Sequence, residues 1–188
     1  MNNTIESEKY KGHTIRIEPD LDPMNPRKEW DNLGTMLCRH PRYELGDEQG
    51  SVDEIKDILE GRREDVAVAL PLYLYDHSGI TISTSPFSCR WDSGMVGVIY
   101  ITKEKAFKEY DQKKLTKAFK ERLAGYLESE VKAYDQYLTG QVYGYIVEDE
   151  EGNRIESCWG FFGETDEAMN EGKRIVDHVT TKGLAYAI

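Results

Sequence analysis

Hydrophobic and polar residues alternate along several short segments of the chain, with the two-residue period that is typical of β-strands with one buried face. Residues 10–18 (YKGHTIRIE) place two isoleucines on one face and charged residues on the other. Residues 66–75 (VAVALPLYLY) are densely apolar, and Pro71 within them indicates a sheet edge or a bulge. Residues 95–102 (MVGVIYIT) are apolar on both faces, which predicts a strand at the centre of a sheet.

Turn residues between the apolar segments predict two hairpins. Gly79 turns the first apolar segment into residues 80–84, so these two strands are expected to pair. A DEEGN turn at residues 149–153 joins residues 142–148 (VYGYIVE) to residues 154–162. Hairpins of this kind predict mostly antiparallel pairing.

Helices are predicted where apolar residues recur three and four positions apart and capping residues mark the ends. Ser51 is an expected N-cap because Glu54 follows three residues later, and Gly61 closes the same helix. Thr102 is expected to cap the helix that follows the central strand. The predicted helices cover residues 51–61, 103–110, 112–138 and 165–180, and the third of them is long and amphipathic.

Together these segments predict an α+β fold, a mostly antiparallel sheet of hairpins with the long amphipathic helix and the C-terminal helix packed on it. The 188 residues fit one domain, which we expect to cover residues 10–188. Residues 1–9 are polar and are expected to form a flexible N-terminus.

The sequence also indicates where the protein is located and whether its cysteines form disulfides. No apolar run approaches the roughly 18 residues of a membrane span, and the N-terminal MNNTIESEKY lacks the order of a signal peptide. We therefore expect a cytoplasmic protein. The three cysteines, Cys38, Cys89 and Cys158, are scattered and odd in number, which argues against a disulfide framework and favours free thiols.

The net charge of −11 is unevenly distributed, and it disfavours nonspecific binding to nucleic acid over most of the surface. Residues 44–65 hold nine acids and three bases, residues 148–171 nine acids and one base, and residues 103–122 eight bases and four acids. Carboxylates spread over a surface either keep the protein soluble or imitate nucleic-acid phosphates and bind a basic groove. The basic segment is either a solvated helix face or a nucleic-acid contact. The candidate binding residues are Glu48, Asp53, Glu54, Asp57, Glu60, Asp149, Glu150, Glu151, Lys113, Lys117 and Lys120.

One set of residues suggests catalysis. Cys89, His77 and Asp92 are the residue types of a cysteine hydrolase, in which an imidazole activates the thiol and a carboxylate orients the imidazole. The segment around Cys89 carries no recognised cysteine-protease signature, so the alternative is a structural cysteine in a tight loop. We therefore favour a protein without catalytic residues and keep the hydrolase as an alternative.

Signals for metals and cofactors are missing from the sequence. Structural zinc sites pair two short half-sites of cysteine or histidine, and the chain contains none. Neither a GxxxxGK[ST] phosphate loop nor a GxGxxG segment after a strand occurs. We expect no metal and no cofactor.

Four segments carry a resemblance to a known group of proteins. They are NPRKEWDNLGTM at residues 25–36, HSGITISTSPFSCRWDSGMVGVIYIT at 77–102, YDQYLTGQVYGY at 134–145 and SCWGFFG at 157–163. With these motifs the chain resembles uncharacterised small acidic proteins carried by phages and other mobile elements of Gram-positive bacteria. The resemblance implies a setting in which small acidic proteins counter host defence, as antirestriction and anti-CRISPR proteins do. It supplies no catalytic residue.

The resemblance and the segregated charge lead to one functional hypothesis and two alternatives. The hypothesis is a phage- or mobile-element-encoded inhibitor of a host nuclease defence system that works in the bacterial cytoplasm by non-catalytic binding. Its expected partner is a host nuclease or a nuclease–nucleic acid complex, with a nucleic-acid contact through the basic helix face. The alternatives are a small hydrolase that uses the Cys89 loop and an accessory phage structural or binding protein, and the oligomeric state stays open.

Overall fold

The structure is a computed structural model that describes residues 3–89 and 91–185. It contains helices together with an antiparallel sheet and a mixed sheet, which confirms the predicted α+β class. The contacts within the chain form two compact units. The terminal unit combines Met1–Met24 with Gly140–Ile188, and the central unit is Asn25–Thr139. The segment that the sequence treats as one domain, residues 10–188, is thus divided between two sheets.

The described residues contain nine strands and five helices. In chain order they are β1 (Glu6–Tyr10), β2 (His13–Pro19), α1 (Pro26–Glu29), β3 (Thr35–Cys38), β4 (Glu48–Gln49), α2 (Val52–Leu59), β5 (Val66–Asp76), β6 (Ile80–Ser83), β7 (Ser93–Thr102), α3 (Lys103–Tyr110), α4 (Lys117–Leu138), β8 (Val142–Glu148), β9 (Arg154–Phe162) and α5 (Thr165–Ala185). Both predicted hairpins form, β5 with β6 and β8 with β9. Within the part of the chain that is described, no helix has the length and apolar character needed to span a bilayer.

The terminal unit is a four-stranded antiparallel sheet in the order β1-β2-β8-β9, with α5 on one face. Ile15 and Ile17 of β2 are fully buried, and they pack with Tyr145 and Val147 of β8 and Val176 of α5. These residues alternate along each strand, so one face of the sheet carries the core. The pairing of β2 with β8 joins the two ends of the chain in one sheet.

The strand β1 differs from the flexible N-terminus predicted for residues 1–9. It pairs with β2 from Glu6 opposite Ile17 to Tyr10 opposite His13. Its residues are mostly exposed and polar because it is an edge strand, so its sequence lacks the alternation that predicts a strand.

The central unit is a five-stranded mixed sheet in the order β4-β3-β7-β5-β6, in which only β3 and β4 are parallel. On one face Ile99 and Ile101 of β7 belong to the same buried cluster as Leu123 of α4, and on the other Val98 packs with Ile58 of α2. The strand β7 is therefore covered on both faces and lies between β3 and β5. This confirms the central strand that its continuous apolar sequence predicts.

The ends of the helices follow local capping chemistry. Ser51 and Glu54 form the predicted capping box, and the Thr102 hydroxyl accepts a hydrogen bond from the Lys105 amide. The long helix begins at Lys117 and not at residue 112, because Asp111, whose φ of 47° is left-handed, caps the end of α3 and Thr116 provides the next N-cap.

Candidate functional site

The residues of the hydrolase alternative do lie together, in the central unit. Cys89 and Asp92 are in the loop between β6 and β7, and His77 is in the turn between β5 and β6. The Oδ2 atom of Asp92 lies 3.3 Å from Nδ1 of His77 and 3.7 Å from Sγ of Cys89. The Asp92 carbonyl oxygen also accepts a hydrogen bond from the Asp76 amide at 2.8 Å, which fixes the loop against the end of β5.

The order of these three groups differs from that of a cysteine hydrolase. In the hydrolase mechanism the imidazole lies between thiol and carboxylate, because it must take the proton from the thiol. Here the carboxylate of Asp92 lies between Cys89 and His77 and contacts both. Trp91 beside them is 95% exposed, and Arg90 lies outside the described residues. The arrangement supports a loop closed by Asp92.

The first acidic group lies on α2 and on the strand before it. Ile55 and Ile58 bury the apolar side of α2 against the sheet of the central unit, which leaves the acids on the solvent side. Glu48 and Asp53 are exposed, and no hydrogen bond or ion pair involves either side chain within the described part of the chain. Their charges are therefore uncompensated at short range.

The other three acids of this group have partners within the chain. The Glu54 carboxylate accepts a hydrogen bond from the Ser51 amide at 2.7 Å, and this bond lowers the pKa of Glu54. Asp57 and Glu60 both pair with Arg62. Glu54 is thus a helix-capping residue, and the Asp57 and Glu60 charges are partly neutralised.

The second acidic group lies in the terminal unit, at the turn between β8 and β9. Asp149 closes the turn, since its carboxylate accepts hydrogen bonds from the amide and the side chain of Asn153 at 2.7 and 3.0 Å. These bonds lower the pKa of Asp149. Glu150 and Glu151 are exposed at the tip of the turn. The two predicted acidic groups therefore belong to different units.

The basic residues Lys113, Lys117 and Lys120 are exposed where the chain enters α4. Lys117 makes only a long contact, 3.9 Å, with Glu121 one turn later. Lys120 lines an open cleft of about 630 Å³, and Arg63 lines the same cleft. All these residues belong to the central unit, and Arg63 pairs there with Asp65.

An aromatic cleft, which the sequence does not predict, lies in the central unit. Trp30, Tyr110 and Tyr126 line a cavity of about 370 Å³. The rings of Tyr110 and Tyr126 stack with centroids 5.6 Å apart and an angle of 16° between their planes. Trp30 directly follows α1, Tyr110 ends α3 and Tyr126 lies within α4, so the cleft exists only in the folded chain. The one sequence signal is Tyr126, an aromatic residue outside the apolar stripe of α4.

A buried arginine supports one wall of this aromatic cleft. The Arg27 side chain is 1% exposed and donates hydrogen bonds to Asp47, to Glu130 and to the Gly34 carbonyl oxygen. Burial lowers the pKa of Arg27, but the hydrogen bonds to Asp47 and Glu130 raise it by more, so the guanidinium stays charged. The Glu130 carboxylate also accepts a hydrogen bond from the Leu33 amide at 2.6 Å. These bonds hold the segment after α1 against α4.

Within residues 3–89 and 91–185, no three side chains of histidine, cysteine, aspartate or glutamate are grouped so that they could hold a metal ion.

Comparison with known proteins assigns no function to these surfaces. No family model matches the chain, and no curated protein or solved structure does.

Proposed function

We propose that this protein is a phage- or mobile-element-encoded inhibitor of a host nuclease defence system and that it acts by non-catalytic binding through charged surfaces. The observation that carries the proposal is the pair of exposed, uncompensated carboxylates, Glu48 and Asp53, beside a helix that is anchored to a sheet. The resemblance to proteins of phages and mobile elements gives this surface its biological setting. The expected place of action is the bacterial cytoplasm.

A rigid acidic surface suits a basic groove for two physical reasons. Complementary potentials steer the partner and speed association, and this attraction is strongest at low salt. Because Ile55 and Ile58 hold α2 on the sheet, the backbone that carries Asp53 loses little freedom when the surface binds. A groove built to bind nucleic-acid phosphates offers the complementary charge.

The basic surface extends the proposal to a nuclease that already holds nucleic acid. Lys113, Lys117 and Lys120 would contact phosphates that remain exposed in such a complex. Replacing all three by glutamine should weaken binding to the loaded nuclease and leave binding to the empty nuclease unchanged. Equal effects on both forms would remove the nucleic-acid contact from the proposal.

The test is protection of phage from a nuclease in living cells. Wild-type protein, expressed in bacteria that carry a restriction or CRISPR nuclease, should raise the efficiency of phage plating. The Glu48→Lys/Asp53→Lys variant should lose this effect, because the reversed charges repel a basic groove. The matched control is Glu128→Lys/Glu164→Lys, which makes the same change of charge at two other exposed positions and should protect like wild type.

Two outcomes would contradict the proposal at different levels. If wild-type protein protects phage from none of a panel of restriction and CRISPR nucleases, the inhibitor function is wrong. If it protects and the Glu48→Lys/Asp53→Lys variant protects equally, the function stands and the binding surface is wrong. Thermal unfolding of each variant separates a binding defect from a folding defect.

A further inference from the structure

We propose that the aromatic cleft lined by Trp30, Tyr110 and Tyr126 binds an arginine side chain of the partner protein. The identity of that partner rests on the function proposed above, since a groove that binds nucleic acid is rich in arginine.

The cleft has the size and the walls of a binding site. Its volume of about 370 Å³ falls in the range of about 300–1,000 Å³ that is usual for ligand pockets. Trp30 is 41% and Tyr126 is 42% exposed. Large aromatic side chains of this kind often supply the dominant contacts of protein interfaces.

The charges at the cleft select a cation. Asp31 and Glu109 line it, and within the described part of the chain their carboxylates make no hydrogen bond or ion pair. Lys105 lines it too, and its ammonium group keeps its positive charge while it donates a hydrogen bond to the Asn32 carbonyl oxygen at 2.6 Å. Two carboxylates, Asp31 and Glu109, against one ammonium, Lys105, give these three side chains a net charge of −1, which attracts a cation and repels a phosphate. This charge balance favours a basic side chain over a nucleotide.

The aromatic rings favour a guanidinium over an ammonium group. A guanidinium is planar, stacks on aromatic faces and binds a carboxylate through two nitrogen atoms at once. The chain already uses this contact, because the guanidinium carbon of Arg122 lies 4.7 Å from the centre of the Tyr110 ring and 5.2 Å from that of Phe119. An incoming arginine would contact the exposed Tyr126 ring in the same manner.

The walls of the cleft are held in place before any ligand arrives. The Glu130 carboxylate accepts hydrogen bonds from the amides of Leu33 and Gly34 and is itself bound by buried Arg27. These bonds tie the segment that carries Trp30 and Asp31 to α4, which carries Tyr126. A pre-organised cleft loses little conformational entropy on binding.

The experiment follows the indole N–H signals of the full-length protein by NMR. Trp30 is assigned by its loss in a Trp30→Phe variant, and Trp91 and Trp159 serve as internal references. The probes are acetyl-Gly-Arg-Gly-amide, its citrulline counterpart, which has the shape but not the charge of arginine, and a ten-residue oligothymidine. We expect the arginine peptide to shift the Trp30 signal saturably and to bind about tenfold more tightly than the citrulline peptide.

Variants of the cleft test the same contacts. Tyr126→Ala and Asp31→Asn/Glu109→Gln should each weaken the arginine peptide about fivefold, and Glu128→Gln, which removes an exposed charge from the same helix outside the cleft, should not. Equal binding of the citrulline peptide, stronger binding of the oligothymidine or the absence of a saturable Trp30 shift would overturn the inference.

The test of arginine binding is independent of the test of the inhibitor function. Peptide binding is measured without a nuclease, so it can fail while wild-type protein still protects phage. If both hold, Tyr126→Ala should also reduce protection in the plating assay. Full protection by a Tyr126→Ala protein that no longer binds the peptide would show that the cleft does not hold the partner.

Discussion

Arg27 and Asp47 form an ion pair with two hydrogen bonds, in which Nε lies 2.9 Å from one carboxylate oxygen and Nη2 lies 2.5 Å from the other. The arginine is buried. Burying a charge is costly unless it is paired, so removing one partner leaves the other without compensation. Arg27 also binds Glu130, so two carboxylates depend on it.

We predict that Arg27→Met lowers the free energy of unfolding by about 3–5 kcal/mol, because Asp47 and Glu130 lose their shared cation. Urea unfolding followed by circular dichroism measures the change. The matched control is Arg42→Met, since Arg42 pairs with Asp76 but its side chain is 66% exposed. It should cost at most about 1 kcal/mol. Similar losses of unfolding free energy in both variants would contradict a larger contribution from the buried Arg27 pair than from the exposed Arg42 pair.

We predict that Gly144→Ala destabilises the terminal unit by about 1–3 kcal/mol through overpacking. A Cβ atom at Gly144 would lie 2.2 Å from Cε3 of Trp159 and 2.7 Å from the Cys158 carbonyl oxygen. The Trp159 ring and the β9 backbone would both have to move. Gly94→Ala is the control, because a Cβ atom there meets open space. An unchanged unfolding midpoint for Gly144→Ala would contradict the close packing of Trp159 on β8.

We predict that stability falls at alkaline pH in part because of Cys38. Burial raises the pKa of its thiol from 9.0 to about 12, so the thiol stays protonated in the folded chain where it ionises in the unfolded chain. Its contribution is complete below pH 9 and is lost as pH rises toward 12, and the loss at pH 10 is about 1 kcal/mol.

The measurement is the free energy of unfolding between pH 7 and pH 10. Cys38→Ala should show a shallower decline than wild type, and Cys158→Ser should decline like wild type because Cys158 is exposed. The same burial predicts that a thiol reagent labels Cys38 only after denaturation. Identical slopes for wild type and Cys38→Ala would rule out this source of the pH dependence.

We predict that Cys89→Ser retains full protection of phage in the plating assay. The Asp92 carboxylate, and not an imidazole, contacts the Cys89 thiol, so the thiol has no neighbouring base in the place a nucleophile requires. The control is Cys158→Ser. If Cys89→Ser folds normally and loses protection while the control keeps it, the hydrolase alternative is favoured over non-catalytic binding.

Much of the fold follows from local patterns in the sequence. The capping box at Ser51 and Glu54, the hairpins and the doubly buried β7 are confirmed because each depends on residues close together in the chain. The strand β1 was missed because an exposed edge strand needs no apolar alternation. Pro71 correctly indicated an irregularity, and the register shifts at the next two residues of β5.

The candidate site was less predictable because it depends on contacts between distant segments. Clusters of charge are visible in the sequence, but the roles of Glu54 as a cap and of Asp149 as a turn residue appear only in the folded chain. Trp30 and Tyr126 are almost a hundred positions apart, so no local pattern joins them. Nothing in the sequence around Arg27 indicates that this charged side chain is buried.

The pairing of β2 with β8 has a consequence for synthesis of the protein. The central unit is one continuous segment, Asn25–Thr139, and all of it is synthesised before β8. Because compact units generally fold as they emerge, the central unit can form first. The sheet of the terminal unit must wait, with the β1–β2 hairpin already synthesised, until the last quarter of the chain delivers β8, β9 and α5.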